Sequence, residues 1–519
     1  MSTTEEISRT KTKTVAVIDM GSSAIRMVIA EIDDAGHWRR LDRAGKPVGL
    51  GRDVFVDGYL SGDSMRQAIK ILSGFREMLE GWQIAGDDVR VIATSAIREA
   101  KNRDTFLDRV YMRTGFRIDI VEGVEENHLT YLAVQHAVDH MRPQFSRSNS
   151  LIIEVGGGTT EVMMLRRGKM VAAHSLRLGT IRLEQQVRAS WESTEDLETF
   201  LRENIRVTQE ILNAEMRMDS IRFFVAVGGD ARLAAARAGR KEQAGFSVVE
   251  REDFNELIAG LQGYSLDEIV SELEVTYNEA EGLVPALLIL KMFLDSTQAK
   301  QLIVPDVSIR EGVLLSFALG ASKEVEHEFY TQVVASAANL GKKYRFDEAH
   351  AMHVRKLALS LFDQLEDDHG MDQHARMLLE VAAILHDIGN YIRASGHHKH
   401  GQYIVANSEI FGLSRSDIAI VSHIVRYHRK AMPNSSHTSF ISLRREQRIR
   451  VMKLSAILRV ADALDRGHNQ RIRDFRVEKD DDLVTLYCDY AGDISAEKHG
   501  LELKAEMFEE VFGYQVVAV

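Results

Sequence analysis

Ahead of residue 324, short apolar runs alternate with segments whose apolar positions recur every three to four residues. The runs have strand length, and the recurring segments have the period of an amphipathic helix. From 14 to 124 the order reads hairpin, strand, helix over 62–82, strand over 89–94, helix over 102–113 and strand over 117–121. The pattern then restarts with a helix over 125–141, a hairpin, further helices, a strand over 223–227, a helix over 279–294 and an end around 316–322. Such alternation predicts an α/β fold with mixed sheets. Beyond Glu324 amphipathic helices take over, and from Phe475 β-like runs return (483–487) around one helix over 500–511. The expected segments are 14–124, 125–322, an all-α 323–474 and a small α+β tail at 475–519.

Two stretches of this pattern repeat each other without a gap. Val17-Ile-Asp19-Met-Gly21-Ser22-Ser23-Ala-Ile-Arg26 aligns with Ile152-Ile-Glu154-Val-Gly156-Gly157-Gly158-Thr-Thr160-Glu161. Each is an apolar run, an acid, a turn of small residues and a second apolar run. A hairpin of this kind lets backbone N–H groups approach an anion at its tip. One such turn is equally an ordinary tight hairpin, but its recurrence with acids beside it predicts a duplicated pair of domains holding phosphate between them.

At 519 residues the chain exceeds a single core, so about three or four domains are expected at roughly 150 residues each. The stretch 1–14 lacks the apolar centre of a signal peptide, and the longest apolar run, 283–294, is interrupted by Lys291. A single cysteine, Cys488, excludes an internal disulfide framework and fits a reducing cytoplasm, where it reads as a small strand or core residue. The formal charge of -12 argues against nonspecific nucleic-acid binding, which needs excess cations. Basic runs at 444–453 and 466–476 read either as solvated helix faces or as a local guide for a long polyanion.

Hydrolysis of a phosphoanhydride needs a positioned water, a base and usually a divalent ion that offsets phosphate charge. Asp19, Glu154 and Glu161 flank the turns, and Glu125-Glu126 opens a helix after the strand near 118–121. Arg98 and Arg310 follow strands and have the rigid donor fork that suits a phosphoryl oxygen.

At these residues the chain resembles the exopolyphosphatase and guanosine pentaphosphate phosphatase family of the actin-like (ribonuclease H-like) superfold. The resemblance is carried in order by Asp19-Met-Gly-Ser, Ala93-Thr-Ser-Ala-Ile-Arg98-Glu-Ala, Gly123-Val-Glu125-Glu126, Glu154-Val-Gly-Gly-Gly-Thr-Thr-Glu161, Val227-Gly-Gly229 and Arg310-Glu-Gly312. It implies a duplicated actin-like core in which Glu125 activates water and Glu161 helps to position it. Asp19 and Glu154 would hold Mg²⁺ or Mn²⁺. Gly21, Ser22, Ser23, Gly156, Gly157, Gly158, Arg98 and Arg310 would bind the terminal phosphates, and orthophosphate would leave. It also implies a homodimer. Ser23 stands where the family turn typically has Asn, and Glu154 where it typically has Asp, which predicts slower or retuned turnover.

Thirteen of the nineteen histidines lie after residue 330. His353, the pair His386-Asp387 and Asp462 have the order of an HD-type metal site, and this segment resembles the HD phosphohydrolase superfamily. That resemblance implies a second divalent metal; His397, His423 and His428 could extend the site to two metals, while His397-His398-Lys399-His400 and Arg429-Lys430 equally suit a polyphosphate-binding surface. The leading expectation is an exopolyphosphatase, acting on inorganic polyphosphate or guanosine pentaphosphate, with no specific nucleic acid and no membrane partner. A small-molecule kinase of actin-like fold and a phosphate or nucleotide sensor with reduced turnover are the alternatives.

Overall fold

The computed structural model describes residues 12–33, 37–188, 194–242, 245–319 and 323–519. Most of the stretch 1–14 and the last part of the segment ending at 322 lie outside the described residues. The chain separates into two compact units, Met1–Phe329 and Tyr330–Val519.

In unit 1 the apolar runs build two sheets. The first contains β1 (Thr12–Met20), β2 (Ala24–Asp33), β3 (Trp38–Pro47), β4 (Val89–Ala93) and β5 (Ile118–Ile120) in the order β3-β2-β1-β4-β5. The second contains β6 (Asn149–Val155), β7 (Thr160–Arg166), β8 (Lys169–Leu176), β9 (Ile221–Val227), β10 (Arg240–Lys241), β11 (Phe246–Glu250) and β12 (Gln301–Pro305), ordered β10-β11-β12-β9-β6-β7-β8. The sequence repeat is a repeat of topology. β1 pairs antiparallel with β2 and parallel with β4, as β6 pairs antiparallel with β7 and parallel with β9. Both opening strands therefore lie inside their sheets and are covered on both faces, which is why they read as continuous apolar runs rather than alternating ones. Ala16, Ile18 and Met20 enter one core while Val15 and Val17 enter another, the two-residue period of a strand. Asp19 and Glu154 stand near the carboxyl ends of these strands, where open α/β sheets collect ligands.

Several helices of unit 1 were not read from the sequence: Leu50–Asp57, Ser95–Glu99, Gly229–Ala238, Arg251–Gln262, Leu266–Leu273 and Ile309–Leu319. The helix Gly62–Gly81 starts at Ser61, whose side chain accepts from Ser64 N–H, and it buries Leu72 and Phe75. Of the unread helices, Leu50–Asp57 is too short for its period to stand out and is stopped by Gly58 at φ +76°. The segment expected as one helix over 125–141 is the helix Gly123–Ala137 followed by short turns. This helix is crossed closely by Ile309–Leu319: a Cβ on Gly312 would lie 2.1 Å from the Leu129 carbonyl oxygen. The contact needs glycine there.

Unit 2 is built on the helices Glu348–Gln364, Gln373–Leu385, His397–Ala406, Arg415–Tyr427 and Arg445–Ala463. Val354, Leu357, Leu361, Leu378, Val421, Ile424, Leu454 and Ile457 bury their common core. A sheet of β13 (Ile472–Asp480), β14 (Leu483–Tyr490) and β15 (Gln515–Ala518) forms the tail, with Cys488 on β14. No helix among the described residues is long and apolar enough to cross a membrane.

Candidate active site

The two glycine turns of unit 1 meet at their tips. Gly21 N–H donates to the Ala24 carbonyl (3.1 Å) and Gly156 N–H to the Thr159 carbonyl (2.8 Å). A Cβ on Gly157 would fall 3.1 Å from the Ser22 Cβ, and Ser22 Oγ lies 3.1 Å from Ser95 Oγ. Gly21, Ser22, Ser23, Gly156 and Gly157 line one cavity of about 850 Å³. Gly158 has a different place. A Cβ there would run into the Phe55 ring at 2.3 Å, and its carbonyl accepts from Arg182 Nε (2.8 Å). Its glycine serves packing behind the lining rather than a phosphate contact.

Seven carboxylates line the same cavity, three of them Glu184, Asp230 and Glu279 and the other four Asp19, Glu126, Glu154 and Glu161. Glu161 accepts from Asn127 Nδ2 (2.9 Å) and Ser175 Oγ (2.6 Å), and Glu154 accepts from Thr130 Oγ1 (2.9 Å). Burial pushes all four above the ordinary carboxylate value: Asp19 against the pull of Arg310, Glu154 against Thr130, Glu126 up to about 7 against Arg98, and Glu161 with help from Glu126. The residue expected as the base, Glu125, is exposed on the first turn of its helix and is not part of the lining. Successive helical residues are turned by roughly 100° about the axis, so only one of two adjacent glutamates can face the cavity. Here it is Glu126.

The arginines divide their work. Arg98 stands behind Glu126, its Nη1 donating to that carboxylate (2.9 Å) and to the Val121 carbonyl (2.5 Å), and is not part of the cavity lining. Arg310 does line the cavity, with Nη1 3.7 Å from Asp19 Oδ2. It also borders a second cavity of about 330 Å³, which Arg26, Arg40, Arg43 and Arg232 share with Asp306 and Glu311. The sequence reading passed over these arginines. One was within reach of hairpin arithmetic, since the turn puts Arg26 directly opposite Asp19.

Comparison with known proteins places the chain in a family. The profile of the Ppx/GppA phosphatase family matches residues 28–321. That is more than half of the chain. The chain belongs to the Ppx/GppA phosphatase family. The family's domain III matches residues 334–501. Among curated relatives, the guanosine-5'-triphosphate,3'-diphosphate pyrophosphatase of Photobacterium profundum is 23% identical over 459 residues, covering 88% of each chain. Its namesake from Pseudoalteromonas translucida is 23% identical over 486 residues, covering 91% of each. The crystal structure of an Aquifex aeolicus Ppx/GppA family member covers 60% of this chain and 99% of its own, with TM-score 0.50 and 24% identity. That of a Cytophaga hutchinsonii exopolyphosphatase covers 60% and 99%, with TM-score 0.53 and 21% identity. These neighbours bear out the actin-like fold.

In this Ppx/GppA protein domain III carries a buried histidine cluster. His350, His386 and Asp462 form one group whose ligand atoms lie within 4.8 Å of one another, and Asp387, His397 and His428 form another. His353, expected as a ligand, is not among them: its Nε2 lies 2.8 Å from the Ile472 carbonyl oxygen. His350, one turn earlier, belongs to the buried stripe of Glu348–Gln364 with Val354, Leu357 and Leu361, and that stripe faces His386. His423 is likewise elsewhere, its Nδ1 2.9 Å from the Ala419 carbonyl oxygen. Burial pushes the Cys488 thiol up to about 11, which suits a strand residue rather than a nucleophile.

Proposed function

We propose that this protein removes the terminal phosphate from inorganic polyphosphate, or from guanosine pentaphosphate, by hydrolysis. One observation carries the reading: two phosphate-sized turns and a set of carboxylates, Asp19, Glu126, Glu154 and Glu161 among them, around a single cavity, beside a second cavity rimmed by five arginines. Burial raises these carboxylates against the pull of Arg310 and Thr130, and a divalent cation among them relieves that cost. Asp19 and Glu154 offer the hard oxygen donors that suit Mg²⁺ or Mn²⁺. Such an ion would offset the negative charge of the phosphates.

In this reading Glu126 takes the proton of the attacking water. The water oxygen bonds to the terminal phosphorus, the bridging P–O bond breaks, and orthophosphate leaves a chain one unit shorter. Arg98 holds the Glu126 carboxylate, and Asn127 and Ser175 hold Glu161 beside it. A carboxylate titrating near neutrality is suited to general-base work. The arginine cavity favours an anion longer than one phosphate. For the nucleotide substrate a further observation counts: beyond the turns the larger cavity is lined by Leu233, Val275, Thr276 and Asn278, a mixed apolar and polar wall fit for a nucleoside.

The reading also includes a second divalent metal in domain III, a homodimer, which rests on the family resemblance, and the cytoplasm, which rests on the single cysteine. Phosphate release measured across polyphosphate lengths, guanosine pentaphosphate and ATP, with Mg²⁺ and Mn²⁺ varied, tests it. Release from polyphosphate or pentaphosphate supports hydrolysis. Tight binding without release would instead select the sensor, and ATP-dependent phosphorylation of a small molecule the kinase. A solution mass of one 58.4 kDa chain would remove the dimer.

A further inference from the structure

Three of the seven acids that line the larger cavity, Glu184, Asp230 and Glu279, play no part in the hydrolytic reading, and two of the three are already engaged. Glu279 Oε2 accepts from Thr276 N–H (3.0 Å) and Thr276 Oγ1 (2.8 Å), which caps the helix Tyr277–Asp295. Glu184 Oε1 lies 4.0 Å from Arg52 Nη2. Asp230 differs. It stands in the first turn of the helix Gly229–Ala238, where its carboxylate accepts from its own main-chain N–H, and among the described residues no ion pair or other side chain bonds to it. Burial raises it to about 6 against the pull of Arg26 and Arg232, with Glu279 adding to the rise.

A half-satisfied carboxylate is costly in a cavity meant for anions, because it repels any phosphate placed beside it. A ligand that brings N–H donors removes that cost. The neighbours indicate which ligand. Asp230 and Leu233 are three residues apart on one helix, so they share a face, and both line the cavity. Val275 and Asn278 line it from the entry to Tyr277–Asp295, a helix that packs against Gly229–Ala238. Two apolar side chains, one carboxylate with spare acceptors and one carboxamide suit a flat heterocycle that is apolar on its faces and polar at its edge.

Among purines, guanine carries adjacent N–H donors on that edge, N1–H and the 2-amino group, with the O6 acceptor next to them. A single carboxylate accepts from both donors in parallel, and the Asn278 amide has the donor that O6 needs. Adenine instead turns a nitrogen lone pair toward the same position and is repelled by it.

We propose that Asp230 is the residue by which this cavity selects guanine, its carboxylate accepting from N1–H and the 2-amino group while Leu233 and Val275 bound the faces of the ring. The assignment rests on the nucleotide reading of the same cavity and adds which base is taken and which side chain decides. Inorganic polyphosphate offers Asp230 no donor, so the same acid weights the cavity toward the nucleotide.

Calorimetric titration of the full chain, in Mg²⁺, with the 5'-triphosphates of guanosine, inosine, xanthosine and adenosine tests this without requiring turnover. Guanosine triphosphate is expected to bind tightest, the inosine compound, which lacks the 2-amino group, about 10-fold more weakly, and the other two more weakly still. In Asp230→Asn the amide presents one acceptor and one donor, the complement of xanthine, so xanthosine triphosphate should overtake guanosine triphosphate. Equal affinity of wild type for all four bases, or no binding of any, would overturn the proposal. So would an Asp230→Asn chain that keeps the guanosine preference. The wild-type ranking decides even where Asp230→Asn does not fold. A guanosine preference without phosphate release from any substrate would remove hydrolysis and keep the base assignment, while release with no base preference would do the reverse.

Discussion

The carboxylate cavity of unit 1 and the histidine cluster of unit 2 each bury several acids, yet they shift those acids in opposite directions. In unit 1 Asp19, Glu126, Glu154 and Glu161 are all raised, chiefly by burial. In unit 2 Asp387, Asp462 and Asp465 are lowered: burial opposes, but His386 and His397, Lys504 and His350 outweigh it. The difference lies in what accompanies the acid. Unit 2 brings its own nitrogen bases, so its acids are ionised as folded. Unit 1 lines its cavity with Arg26, Lys46, Arg52, Arg232 and Arg310, but these do not outweigh the burial of those four acids. Carboxylate donors suit a hard ion, with the neighbouring arginines suiting a phosphate, while a nitrogen-rich site suits a transition metal.

The strongest way to separate the two is to remove one and watch the other. Asp19→Asn is expected to lower phosphate release by about 10²-fold or more, because the hard-ion site loses a charged donor in the reacting region. The metal content of domain III should not change. A parallel loss of metal from domain III would break the comparison.

A second difference is in pH dependence. A group raised on folding stabilises the fold below its unfolded value and loses that contribution as pH rises through the folded value, so unit 1 should loosen between about pH 4.5 and 7 and above. For Glu126, raised from 4.5 to about 7, this is about 3 kcal/mol as an upper figure. Unit 2 has the other sign for its aspartates: their contribution is present above their unfolded value of 3.8 and is lost as pH falls below it. All three tryptophans, Trp38, Trp82 and Trp191, lie in unit 1, so their fluorescence in a metal-free melt reads unit 1 alone, and hydrogen exchange reads unit 2. Unit 1 should melt earlier at pH 8 than at pH 5, with Mg²⁺ and phosphate reversing the shift. A pH-independent tryptophan melt would mean that the acids are not raised on folding.

The smallest expected effect concerns the arginine cavity. Arg40→Ala/Arg43→Ala removes two exposed guanidinium groups and should raise KM for long polyphosphate by about 3- to 10-fold, with a shallower dependence on salt and little change for triphosphate. An equal rise for both lengths would place these residues at the terminal phosphate instead.

Much of unit 1 was legible in the sequence because strands buried on both faces, glycine turns and flanking acids are local signals. The Asp19 and Glu154 turns could be aligned before any fold was known, and so could the topology they share. What escaped depended on facing direction. Glu125 and Glu126 are adjacent letters, and only the packing of Gly123–Ala137 against β8 and Ile309–Leu319 decides which one turns inward. His350 and His353 differ by one turn of a helix, although the spacing of Val354, Leu357 and Leu361 already marked the buried stripe. Gly158 escaped because its neighbours, Phe55 and Ser95, are distant in sequence. Of the second arginine cavity, only Arg26 had a local sign.

The central claim is that Glu126, and not its neighbour, primes water at the terminal phosphate. Steady-state phosphate release from polyphosphate by Glu126→Gln and Glu125→Gln, followed from pH 5 to 9, tests it most directly. Glu126→Gln should lose about 10²-fold or more in kcat together with the acidic limb that wild type shows near pH 7, while Glu125→Gln stays within about threefold of wild type and keeps that limb. A large loss in Glu125→Gln with Glu126→Gln near wild type would contradict the account.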